Sequence, residues 1–269
     1  MKKAFSILFS LISFYSFAQK TTISGQGTGN ELNTITTAVP FLLIAPDARA
    51  SGMGDAGCAS SSNAWSNYWN PAKNVLSEKK NGIGFSYIPW LRALVPDINL
   101  VTASLYKKIG KKNAFGLSGS YFSLGDITFT DIVGNTIGQF RPLEYYISAS
   151  YSRMLSKKFS LGISSKYIHS NLTGNLSIAG SQTHHGESFA GDISCFWKDT
   201  FQLENASSVF AWGITISNIG QKVSYSDRGE KSFLPQNLKL GASYKLLIDK
   251  NNSLEFICDL NKLLAGVTL

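Results

Sequence analysis

From residue 81 onward, apolar or aromatic residues occupy one parity of the chain and small or polar residues the other, which is the two-residue period of a β-strand. In NAFGLSGSYFS, Phe115, Leu117 and Tyr121 alternate with Ala114, Gly116, Ser118 and Ser120. Tyr145, Ile147, Ala149 and Tyr151 alternate with Ser148, Ser150 and Ser152, and Phe159, Leu161, Ile163 and Tyr167 alternate with Ser160, Gly162, Ser164 and Lys166. Later segments keep the rule on even positions, with Phe210, Trp212, Ile214 and Ile216, then Leu238, Leu240, Ala242, Tyr244 and Leu246. The pattern predicts about nine strands, near 82–90, 98–108, 113–123, 144–154, 158–169, 187–198, 208–218, 237–248 and 252–260. Each is close to the ~10 residues that a tilted strand needs to cross an outer membrane.

A soluble β-sandwich alternates too. Two features favour a membrane barrel instead. The polar parity is built from Gly, Ser, Thr and Lys, which suit a lumen, while the other parity carries Tyr, Trp and Phe near strand ends, as interfacial girdles do. The connections also alternate in length: KKIGKKN, LSKK and DKNN are short, whereas 124–143, 170–186 and 219–236 are long. Short periplasmic turns and long extracellular loops are the barrel arrangement. PWLRALVPD then becomes an external loop, the turns near 107–113, 155–158, 198–207 and 249–252 face the periplasm, and NKLLAGVTL begins a further external loop. Nine is an odd number and leaves an edge open in lipid, so the expected product is an incomplete barrel.

Composition agrees, with 16% charged and 12% aromatic residues. Lys2 and Lys3 precede an apolar run ending at Ala18, which reads as a signal peptide over 1–18, too short to span a bilayer as a helix. Residues 19–79 then form an N-terminal extension and plug, and 80–269 the barrel. The net charge of +8 is scattered without a basic run, so nucleic acid is not an expected partner. Cys58, Cys195 and Cys258 are too few and too far apart for a disulfide framework.

The plug segment contains DARASGMGDAG, whose Gly52, Gly54 and Gly57 spell the dinucleotide fingerprint. The letters lack its chemistry, because no strand runs directly into the glycines and Glu78 follows no second strand. The glycines are instead expected at close-packing positions inside a barrel. Asp47 and Arg49 are expected, by the cost of burying lone charges, to pair with lysines and carboxylates of the lumen and so hold the plug, or else to line a small-molecule path. Asn70 is pushed out of helical geometry by Pro71 and so ends the helix-compatible stretch SSNAWSNYW.

VPFLLIAPDARASGMGDAGCASSSNAWSNYWNPAK resembles the N-terminal signature of the PorV family, outer-membrane proteins of the type IX secretion system of Bacteroidetes, themselves relatives of FadL-type barrels. The likeness continues through GFSYIPWLRALVPDINL, YFSLGDITFTD, GQFRPLEYYISASYSR, KYIHSNLTG and NKLL. It implies an all-β fold, a transmembrane antiparallel β-barrel of FadL type with 14 strands in the family and a small N-terminal plug. It further implies a protein that is not an enzyme and needs no cofactor. Such a protein takes cargo bearing a C-terminal secretion domain from the SprA or Sov translocon and passes it to the attachment complex of the sortase PorU, amid outer-membrane lipid and lipopolysaccharide. Cargo or translocon contacts would fall to the extracellular loops, where the candidates are Trp90, Leu91, Arg92, Asp126, Thr128, Phe129, Asp131 and Arg141. The shared architecture and the NPA at 70–72 also suit a FadL-like channel for hydrophobic small molecules.

Candidate chemistry beyond binding is sparse. His184 and His185 lie in a polar loop and His169 at a strand end, with no carboxylate or cysteine at ligand spacing, so no metal site is expected. A hydrolase acting on lipid A would need Ser, His and an acid to converge, and no serine stands out among so many.

Overall fold

The structure is a computed structural model that describes residues 37–264 except 96, 131–132, 175–176, 179–180, 203–206, 228–230 and 250. The signal peptide, residues 19–36 of the extension and Asp131 lie outside the described residues. Strands in chain order are β1 (Asn81–Pro89), β2 (Ile98–Ile109), β3 (Asn113–Leu124), β4 (Ile127–Thr130), β5 (Thr136–Phe140), β6 (Leu143–Met154), β7 (Phe159–Asn171), β8 (Ser177–Ile178), β9 (Ser181–Gln182), β10 (Gly186–Gln202), β11 (Ser207–Gly220), β12 (Asn237–Leu247) and β13 (Ser253–Leu263). Nine of them form one antiparallel sheet in the order β1-β2-β3-β6-β7-β10-β11-β12-β13, each paired with its sequence neighbours. Among the described residues β1 and β13 are unpaired edges, and the sheet is curled as a half-barrel.

The nine strands lie where the alternation places them. The differences have local causes. The long connections 124–143 and 170–186 are not irregular throughout: β4 pairs with β5, and β8 with β9, as two-stranded sheets of their own. Their four central strands are only 2–5 residues long, below the length at which alternation is visible. β13 continues to Leu263, paired with Asn237, so NKL is strand and not the start of a loop. β10 extends to Gln202, so residues 198–202, expected in a turn, are strand.

Burial along the strands is the reverse of a soluble sheet. Phe115, Leu117, Ile147, Leu161 and Ile163 are exposed, while Ala114, Gly116, Ser118, Ser148, Ser150, Gly162 and Ser164 are buried. Ile83 is 83% exposed, Phe85 72%, Phe189 65% and Leu260 67%. Each such side chain left in water forfeits about 1.5–3 kcal/mol of burial, a loss that lipid removes. The outward face is therefore a lipid face.

What buries the polar face is the segment 37–79. Asn67 donates from Nδ2 to Ser104 Oγ (2.9 Å) and Leu105 O (2.7 Å) on β2, and accepts from Ser150 Oγ on β6 (3.0 Å). Ser160 on β7 donates to Ala72 O (2.7 Å), Ser194 on β10 accepts from Ala72 N (3.2 Å), and Ser243 on β12 donates to Ala59 O (2.8 Å). Gly57 N and Cys58 N both donate to Asp259 Oδ2 on β13 at 2.8 Å. One short segment reaches β2, β6, β7, β10, β12 and β13 only because the sheet wraps around it. The inward serines and glycines are thus the seat of the plug.

Candidate functional site, a filled concavity beneath a loop rim

The plug is irregular because its sequence interrupts every helix it starts. Ala48–Ser51 and Ser66–Trp69 are single helical turns, and Pro40–Leu43 and Pro71–Leu76 are 3-10 turns opened by proline. Asn70 stands between two of them in extended geometry (φ −163°, ψ 96°), as its neighbour Pro71 requires. Its side chain is fully buried, accepts from Ala72 N (3.0 Å), and donates to Cys195 O (2.9 Å) and Cys58 O (3.2 Å). One amide therefore caps a 3-10 turn and ties the plug to β10.

Apolar layers lie above and below this polar seam. Phe41 and Leu42 pack with Leu100, Phe122, Tyr146 and Ile168 near the long-loop ends of their strands. Val75 and Leu76 pack with Ala114, Phe196 and Ala211 near the short-turn end. Between them lie buried cations. Lys73 donates to Gly57 O (2.5 Å), Lys166 pairs with Asp192 (3.4 Å), and the Lys239 ammonium lies over the rings of Trp69 (4.3 Å) and Tyr68 (4.9 Å). A cavity of about 420 Å³ opens at the short-turn end, bordered by Lys79, Lys198, Lys245, Glu78 and Glu255. The buried charges Lys73, Lys166, Asp192 and Lys239 thus form a seam between the two apolar layers.

The plug residues singled out from sequence separate by role. Arg49 bonds Glu255 on β13 at 2.7 Å. Asp47 is buried but caps its own helical turn by accepting from Arg49 N (3.0 Å). Close packing holds for Gly57, where a Cβ would lie 2.2 Å from the Trp69 ring. Gly52 and Gly54 are exposed, and Gly54 turns the chain at φ +76° with open space around it. Close packing was expected of all three; the turn at 52–55 bulges away from the wall, which relieves two of them.

At the other end of the strands the loop candidates form a rim. Trp90, Leu91 and Arg92 are exposed in 90–97, together with Leu94 (79%). Leu91 has a left-handed backbone (φ 50°), unusual for a branched residue, and its carbonyl accepts from Leu94 N and Val95 N. The structure brings Asp126 and Arg141 together: Nε and Nη2 each donate to one carboxylate oxygen at 2.7 Å, closing the base of the β4–β5 hairpin. Thr128 is exposed and Phe129 half-buried on β4. Asp97 links this hairpin to the first loop by accepting from Asp126 N at 2.8 Å.

The hydrogen bonds from Arg141 hold the Asp126 carboxyl below its ordinary value. A lowered carboxylate contributes above its unfolded value and loses that contribution only as pH falls through the folded one. Protease cleavage within 127–140 is therefore expected to stay constant from neutral pH down to about 4 and to rise below it. Arg141→Gln should raise cleavage across that whole range, with little change in overall stability because the pair is exposed.

The histidines depart from expectation. Cross-strand pairing sets Glu187 on β10 opposite His169 on β7, and His169 Nδ1 lies 3.4 Å from Glu187 Oε1. His185 Nε2 lies 3.6 Å from the same oxygen. One carboxylate oxygen therefore stands beside two imidazoles: strand register brings His169 to it across 18 positions, and His185 is two residues away along the chain.

The sequence matches the family described as type IX secretion system protein PorV over residues 27–268, nearly the whole chain. The chain belongs to the PorV family. An outward apolar band, an antiparallel curled sheet and a plugged concavity are what an outer-membrane β-barrel member of the PorV family presents to lipid. No curated protein shows significant sequence similarity to it.

Proposed function

We propose that the chain receives secreted cargo through the C-terminal secretion domain at the translocon and hands it to the surface attachment complex, using its long-loop rim. The observation that carries this reading is the apolar rim at 90–95 above a concavity that is already filled. Trp90, Leu91 and Leu94 project apolar surface where a soluble loop would be polar. The left-handed Leu91 holds that projection in a tight turn, and backbone strain of this kind concentrates at binding sites. Arg92 and the Asp126–Arg141 clamp supply the polar border. Under this reading the long loops are extracellular and the short turns periplasmic. The buried charges Lys73, Lys166, Asp192 and Lys239 speak against a channel for hydrophobic small molecules.

The test is retrieval of tagged protein from native outer membranes. Wild type is expected to bring down a very large barrel and secreted proteins that share one C-terminal domain. Leu91→Ser with Leu94→Ser should lower cargo recovery about tenfold or more, as loss of central apolar anchors does. Equal recovery by the double variant would exclude the rim as the cargo site. Uptake of labelled fatty acid, with no cargo recovered from wild type, would overturn the reading as a whole.

A further inference from the structure

We propose that His169, His185 and Glu187 form a site for a divalent transition metal of the Zn²⁺ class on the outward face of the sheet, at its long-loop end. One ligand atom from each of the three residues lies within 4.8 Å of the others. Around zinc, with Zn–N and Zn–O bonds of about 2.0–2.2 Å, tetrahedral ligand atoms stand about 3.3–3.6 Å apart. Two of the three separations, 3.4 Å and 3.6 Å, already match that edge length. The third closes by rotation of His185, which is exposed and precedes β10.

The surroundings hold the ligands as metal sites do. The His169 ring is stacked on Tyr145 (4.9 Å), which restrains its plane whatever His185 does. Tyr167 donates its hydroxyl to Glu187 Oε1 at 2.8 Å, which restrains the carboxylate through the same oxygen the histidines face. A hydrogen bond to a liganding carboxylate is the usual outer support of such a site. Imidazole, imidazole and carboxylate are a donor set that suits zinc, and three protein ligands leave a fourth position for water or an external donor. The ion would tie β7 to the entrance of β10 and so fasten the long connection 172–185 at the rim. Its role is structural and does not depend on the cargo reading.

The test uses the full chain in detergent micelles on a Cys258→Ser background, which removes the exposed thiol as a competing ligand. Titration with Co²⁺ is expected to produce the intense visible bands of a tetrahedral complex, saturating at one ion per chain and displaced by Zn²⁺. His169→Ala, His185→Ala and Glu187→Gln should each weaken binding about 100-fold or more, and Tyr167→Phe about tenfold, as outer partners do. Zn²⁺ should also slow protease cleavage within 172–185 in the parent but not in His185→Ala. The proposal is overturned if the parent shows no saturable binding, or if binding survives in the His169→Ala, Glu187→Gln double variant. All these side chains but His169 and Tyr167 are exposed, and those two are half-buried on the outer face, so the variants leave the plug and its seat intact.

Discussion

Gly162→Val is expected to drive the plug off the concave wall while leaving strand pairing in place. A Cβ at this position would stand 2.5 Å from Ala72 N and 2.9 Å from Ala72 Cα, and both are backbone atoms with no rotamer to yield. The same Cβ would meet Ser194 Oγ at 2.8 Å, the hydroxyl that accepts from Ala72 N. Overpacking against a fixed backbone costs about 3 kcal/mol. Here it falls on the contact between plug and sheet, so the plug should move first. The expected result is rapid protease cleavage within 45–79 and a lowered midpoint of thermal unfolding in detergent. The control is Gly138→Ala on β5, where a Cβ meets nothing within 4 Å and no change is expected. If Gly162→Val resists protease as wild type does, the seat under Ala72 is not what holds the plug.

Asn70→Ala is expected to lose about 3 kcal/mol of stability, measured by urea unfolding. Two effects combine: removal of a capping side chain costs about 1 kcal/mol, and carbonyls left short of a partner cost about 1–3 kcal/mol. The carbonyls are Cys58 O and Cys195 O, on the plug and on β10. Asn70→Ser separates the two terms. A serine retains an acceptor for the cap but is too short to bridge to Cys195, so it should recover about 1 kcal/mol and no more. Full recovery by serine would mean that the tie to β10 carries little, and that the residue is chiefly a local cap.

These two residues also show what was legible in the chain before its structure. The strand count and positions follow from alternation, because one parity in lipid and the other under a plug is a demand made at every second residue along each of the nine strands. The inward identities were read as lumen-facing, and their finer meaning needed the fold. Gly116, Gly162, Gly213 and Gly241 are not generic small residues; each faces a particular plug atom on Asn67, Ala72, Asn70 or Cys58. Nothing in their own strands specifies that partner. The loop rim was legible as a loop, but the bidentate meeting of Asp126 and Arg141 depends on a hairpin whose strands are too short to alternate. His169 and Glu187 meet for a related reason: register across a sheet joins residues that no motif spacing connects, and only then does the nearby His185 gain a partner imidazole. Leu94 has no signal in the sequence, because an apolar residue in a loop acquires significance only where the fold leaves it uncovered.

The contact from Cys58 and Gly57 to Asp259 spans about the whole length of the folded chain, with sequence separations of 201 and 202. The plug precedes every strand in the chain, yet it touches the last one described. A chain that reaches the membrane N-terminus first would therefore carry its own mandrel: Asn67 seats β2 and β6, Asn70 and Ala72 seat β7 and β10, and Cys58 and Ala59 seat β12 and β13. Curvature then arises as the hairpins are laid down one after another around a former, before any edge has to meet another edge.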